Sequence, residues 1–81
     1  MDVDNLIEMA NRIGEFFDSM PDHAEAVDGV ADHIRRFWEP RMRVAILTAL
    51  DNPEASASME PILREALTLH KADLQPKAAT A

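Results

Sequence analysis

Apolar residues recur along the chain at steps of three and four, the spacing that keeps side chains on one face of an α-helix. No stretch alternates apolar and polar positions as a half-buried strand does. The first run covers residues 4–19, with Leu6, Met9, Ala10, Ile13, Phe16, Phe17 and Met20 on one side. Asp4 stands where a helix N-cap belongs. Gly14 disfavours a helix by about 1 kcal/mol relative to alanine. It lies at the edge of the apolar stripe, where close approach of another backbone would account for it. A second run covers 21–38. Pro21 suits a first helical turn, and Asp22 and Glu25 complement the positive end of the helix. Ala24, Val27, Ala31, Ile34 and Trp38 make a narrow stripe, flanked by Val30 and Phe37 on one side and Arg35 on the other. Asp32 and Arg36 are spaced for an ion pair one turn apart.

Pro40 pushes Glu39 out of helical geometry and ends the second helix. It can then open a third over 40–51, with Met42, Ala45, Ile46, Ala49 and Leu50 inward and Trp38 at the corner. Asn52-Pro53-Glu54 breaks that helix. A fourth is predicted over 58–72, with Ser58 as its cap, Pro61 in its first turn, and Ile62, Leu63, Ala66 and Leu67 inward, Leu69 at the margin. Residues 75–81 carry no large apolar side chain and read as a mobile tail. The expectation is an all-α fold, a small bundle of three to four short helices forming a single domain over 1–74.

Composition narrows the function. A chain of 81 residues holds one small domain. A formal charge of −7 disfavours nucleic acid and anionic membrane as partners, because both select a cationic face. The charge is unevenly placed. Residues 1–32 hold nine acids against Arg12 alone, whereas 35–43 hold four of the eight basic residues, the only Trp and one of the three Phe. A cationic, aromatic segment on an acidic protein has the composition of an interface hot spot. Without Cys, the chain itself offers no disulfide, thiolate zinc site or cysteine-ligated iron–sulfur cluster. No basic segment precedes an apolar run, and no stretch approaches the roughly 20 apolar residues that span a bilayer, so a cytoplasmic location is expected.

Catalytic chemistry finds little support. His23, His33 and His70 share no ligand spacing and read as exposed, with His33 opposite the second helix's apolar stripe. The acids are spread around the helices rather than paired in a cleft, and no glycine-rich phosphate loop is present. Residues 35–43 carry two readings: a helix corner with buried aromatics and solvated arginines, or a docking surface. Trp38 points toward the core stripe. Four arginines on so acidic a chain fit an interface, where guanidinium groups fork onto carboxylates and stack on rings. Phe16 and Phe17 are adjacent and cannot both face the centre of a narrow seam, which leaves one to reach a partner.

Three segments together carry a resemblance: Met9-Ala10-Asn11-Arg12-Ile13-Gly14-Glu15-Phe16-Phe17, Met20-Pro21-Asp22, and Ala31-Asp32-His33-Ile34-Arg35-Arg36-Phe37-Trp38-Glu39-Pro40-Arg41-Met42-Arg43. Over about residues 5–50 the chain resembles the delta subunit of NAD-dependent formate dehydrogenase. The resemblance implies a small non-catalytic subunit of a cytosolic enzyme, linked to its assembly or stability. In such complexes the alpha subunit carries a molybdenum or tungsten bis-pterin and iron–sulfur clusters, the beta subunit FMN and the NAD site, and the gamma subunit further clusters. The expected partner is the alpha subunit, within a complex that also holds beta and gamma, and no cofactor is expected in this chain. The expected partner-binding residues are Arg35, Arg36, Phe37, Trp38, Pro40, Arg41, Met42 and Arg43, with Asn11, Arg12 and Phe17 as a second contact. Two alternatives stand beside this reading: a transient maturation chaperone for cofactor insertion, and a small nucleotide- or nucleic-acid-binding helical module.

Overall fold

Every regular element in the computed structural model, which describes residues 2–76, is an α-helix. They are α1 Val3–Asp18, α2 His23–Phe37, α3 Pro40–Leu50, α4 Pro53–Ala57, α5 Pro61–Leu69 and α6 Lys71–Leu74. The all-α expectation holds. The count is six rather than three to four, because two short helices occupy stretches with too few apolar residues to show a period. The expected tail at 75–81 lies, from residue 77 onward, outside the described residues.

Helix starts follow the chain's short polar residues and prolines. Asp2, not Asp4, caps α1, accepting hydrogen bonds from the backbone N–H groups of Asp4 (3.0 Å) and Asn5 (3.4 Å). Asp22 caps α2 through the Glu25 N–H, which leaves Pro21 outside the helix. Asn52 caps α4, so the predicted break at 52–54 also begins a helix. Proline stands at the first position of α3, α4 and α5, where its missing N–H removes no helical bond. The predicted helix at 58–72 divides. Ser58 closes α4 instead of opening α5, and the backbone at His70 departs from helical geometry before α6 begins.

One apolar cluster joins the helices. α1 packs on α2, α3 and α5, while α2 also packs on α5 and α6. α1 contributes Leu6, Ile7 and Ala10; α2 contributes Ala26, Val27, Val30, Ala31 and Ile34; α3 contributes Ile46, Leu47 and Ala49. Ala24, predicted inward, is exposed, and Ala26 takes its place. Leu69, predicted at the margin, is exposed, whereas Leu74 is fully buried. Burial of each large side chain contributes roughly 1.5–3 kcal/mol, against about 1 kcal/mol for a cap, so packing of these faces outweighs local helix signals. Gly14 does admit a close neighbour, but that neighbour is a side chain and not the expected backbone, whose nearest atom, Leu63 N, would lie 3.9 Å from a Cβ. A Cβ there would lie 3.0 Å from Ile62 Cγ2, so the glycine lets α1 approach α5 closely.

Trp38 sits at the α2–α3 corner and is only 6% exposed. It is the C-cap of α2, with extended backbone, and its N–H donates to the Ile34 carbonyl at 3.0 Å. Glu39 is also extended, as the following proline requires, and α3 starts in a new direction.

Candidate partner-docking face

Four rings form a row across α1 and α2. Phe16 and Phe17 meet edge to face at 5.1 Å between centroids, Phe17 lies 6.3 Å from His33, and His33 lies 4.8 Å from Phe37. The two ends are the most exposed large apolar side chains among the described residues, Phe16 at 72% and Phe37 at 71%. The middle of the row is half-buried. Adjacent helix positions point about 100° apart, so only one of the two α1 phenylalanines can turn inward. Phe17 is that one, and Gly29 makes room for it. A Cβ on Gly29 would fall 2.5 Å from Phe17 Cδ1, so the ring lies directly on the α2 backbone.

His33 was expected to be a solvated residue away from the packing face. It is instead wedged between Phe17 and Phe37. The signal was present: Gly29, His33 and Phe37 follow one another at steps of four, which places them on one face of α2. Beside the row, Arg12, Ile13, Phe16, Phe17 and His33 line an open, largely apolar groove of about 360 Å³. Such a groove has room for a partner's apolar side chain.

The predicted partner-binding residues divide among several settings. Trp38 is a core residue, and Met42 is half-buried against the core. Pro40 and Arg41 are exposed at the start of α3. Arg35 and Arg36 converge on one carboxylate, with Arg35 Nη2 3.0 Å from Asp32 Oδ1 and Arg36 Nε 2.9 Å from Asp32 Oδ2. The hydrogen bond from Arg36, followed by that from Arg35, holds the Asp32 carboxyl below the ordinary carboxylate range. The predicted Asp32–Arg36 pair is thus present, with Arg35 added. Arg35 also shares a groove with Arg43, Asp73 and Gln75. The Arg43 Nε is buried without a hydrogen-bond partner among the described residues.

The second predicted contact separates in the same way. Phe17 and Arg12 belong to the aromatic row and its groove. Asn11 turns toward the α4–α5 link, where its Nδ2 donates to the Ser58 carbonyl at 2.9 Å and its Oδ1 accepts from the Glu60 N–H at 2.8 Å. The row therefore unites one member of each predicted contact, Phe37 and Phe17, with His33 between them. Phe16 completes it: the sequence left one of the two α1 phenylalanines to reach a partner and Phe17 was the one expected there, whereas Phe16 is the exposed one.

The other two histidines bind elements together. His23 Nε2 lies 2.8 Å from Glu65 Oε1, joining α2 to α5, and the hydrogen bond to Glu65 raises the His23 pKa above its ordinary value. His70 Nε2 lies 2.8 Å from Asp28 Oδ1, joining the α5–α6 junction to α2. Among the described residues no three His or carboxylate side chains converge as metal ligands, and no helix is long and apolar enough to cross a membrane.

Comparison with protein families finds a match over residues 5–67 to the NADH-dependent formate dehydrogenase delta subunit, FdsD. The matched span runs from α1 into α5. It contains the whole aromatic row and the α2–α3 corner, and it extends past residue 50, where the motif resemblance ended. No curated protein and no solved structure matches the chain.

Proposed function

The chain belongs to the NADH-dependent formate dehydrogenase delta-subunit family, and from that premise we propose that it is a non-catalytic accessory subunit. It docks on the large catalytic subunit of a cytoplasmic formate dehydrogenase and supports assembly or stability of the complex. The observation that carries this reading is the exposed aromatic row within the family-matched span. Water-exposed rings at both ends of a packed row leave apolar surface that a partner would bury, and aromatic and Arg residues are the usual anchors of such contacts.

The redox groups implied by the family belong to the partner subunits on this reading: a molybdenum or tungsten bis-pterin, iron–sulfur clusters, FMN and the NAD site. The donor set of this chain does not fit the iron–sulfur clusters among them. It has no thiolate to hold a cluster, and its described histidines and carboxylates are engaged in helix-to-helix pairs or dispersed. On this reading formate oxidation and electron transfer belong to the partner subunits.

Subunit analysis of active complex, purified through a tag on the catalytic subunit, tests the proposal. The chain is expected at a fixed ratio to that subunit by intact mass and quantitative gel. Complete absence from fully active enzyme would replace the accessory subunit with a transient maturation chaperone.

A further inference from the structure

Arg36 is held in position by one end of its guanidinium while the other end faces solvent. Its Nε bonds Asp32, and its two terminal nitrogens make no hydrogen bond among the described residues, on a side chain 63% exposed. Arg35 binds the same carboxylate, so two guanidinium groups share one negative charge and the cluster keeps a net positive one. Arg36 follows His33 by three positions, which makes the two neighbours on the surface of α2 and sets this charge beside the aromatic row.

We propose that Arg36 is a preorganised receptor for a carboxylate of the docking partner, one that flanks the apolar residue seated on Phe37. The inference rests on the docking reading given above and adds the chemistry that the partner presents. A guanidinium fork matches a carboxylate with two parallel hydrogen bonds, and fixing it in advance lowers the ordering cost of binding. A phosphate also fits a fork, but its second negative charge meets stronger repulsion from a chain of formal charge −7. A second copy of this chain is disfavoured by the same repulsion. Screening over about 8–10 Å lets the local arginine cluster govern a close contact despite the distant acids.

The test uses purified full-length chain and formate dehydrogenase isolated from cells lacking it, with affinity measured at low and high salt. Circular dichroism of each variant verifies the fold. Arg36→Lys keeps the charge but loses the fork, and it should weaken binding about tenfold, close to the loss from Arg36→Ala. Asp32→Asn removes a negative charge beside the partner's acid yet should also weaken binding, because it releases the guanidinium. Wild-type affinity should fall as salt rises. Wild-type binding by Arg36→Lys, or unchanged or tighter binding by Asp32→Asn, would overturn the receptor and leave the docking face intact. No binding by the wild-type chain would instead defeat the docking reading itself, and self-association of the chain at the same concentrations would assign the face to a second copy.

Discussion

Trp38→Ala is expected to unfold the isolated chain at 25 °C. Trp38 fills the corner between α2 and α3 and is 6% exposed. Truncating a buried Trp costs about 3–5 kcal/mol, through lost burial and the cavity left behind. A core of this size supplies only about 3–5 kcal/mol of net stability, so a single truncation consumes most of it. The corner is poorly placed to relax, because the extended backbone at Glu39 and Pro40 constrains both sides of the gap. Far-ultraviolet circular dichroism against urea checks this. The wild type should lose its helix signal in one cooperative step, and the variant should show little helix even without denaturant. A variant transition within about 1 kcal/mol of wild type would show that the corner is not a keystone of the fold. As the only Trp, this residue also reports on itself in the wild type, since its emission should shift to longer wavelength as the same transition exposes it.

Phe16→Asp combined with Phe37→Asp should leave the fold intact and abolish partner binding. Both rings are more than two-thirds exposed, and neither belongs to the buried cluster. Their replacement therefore removes little from the core, and surface changes of this kind usually stay within about 0.5 kcal/mol each. At an interface the same rings would be anchors, and truncating a hot-spot aromatic costs about 2 kcal/mol or more. Two such losses correspond to roughly a thousandfold in affinity, with buried carboxylates adding desolvation cost. Pull-down of the catalytic subunit by tagged chain should fall to background while the urea midpoint stays near wild type. Leu69→Asp is the matched control, since Leu69 is also exposed (66%) but lies outside the row. Its variant should capture the partner normally. Normal capture by the double variant would remove the aromatic row from the interface.

The sequence made the long helices legible because packing follows the same three-and-four spacing that marks them. α1, α2 and α3 fall within two residues of their predicted bounds. Proline was a partial guide: Pro40 and Pro61 open helices as read, whereas Pro53, read only as a break, also opens one, and Pro21 lies outside α2 because Asp22 supplies the cap. α4 escaped notice because Pro53–Ala57 buries no side chain and depends on the Asn52 cap. The division at His70 follows from packing that brings Asp28 to its ring and buries Leu74, which one helix cannot reveal alone.

The face was half legible. Arginine and aromatic clustering drew attention to 35–43, and helical spacing set Trp38 on the core stripe and Phe37 on its flank, as their burial and exposure follow, but it did not separate the core residue Trp38 from the expected partner contacts. The apolar stripe of α1 is wider than its buried seam of Leu6, Ile7 and Ala10, which leaves Met9 and Phe16 in water. Asn11 has no local signal for its role, because its backbone partners lie 47 and 49 residues away along the chain. His33 needed a ring from α1 to become part of a row, and only tertiary packing supplies it.

A photoreactive phenylalanine analogue placed at position 16 or 37 addresses the docking face most directly, with position 69 as the reference. After irradiation of assembled, active complex, positions 16 and 37 should each cross-link to the catalytic subunit, and position 69 should not. Capture from position 69 alone, with 16 and 37 reacting only with solvent, would contradict the account.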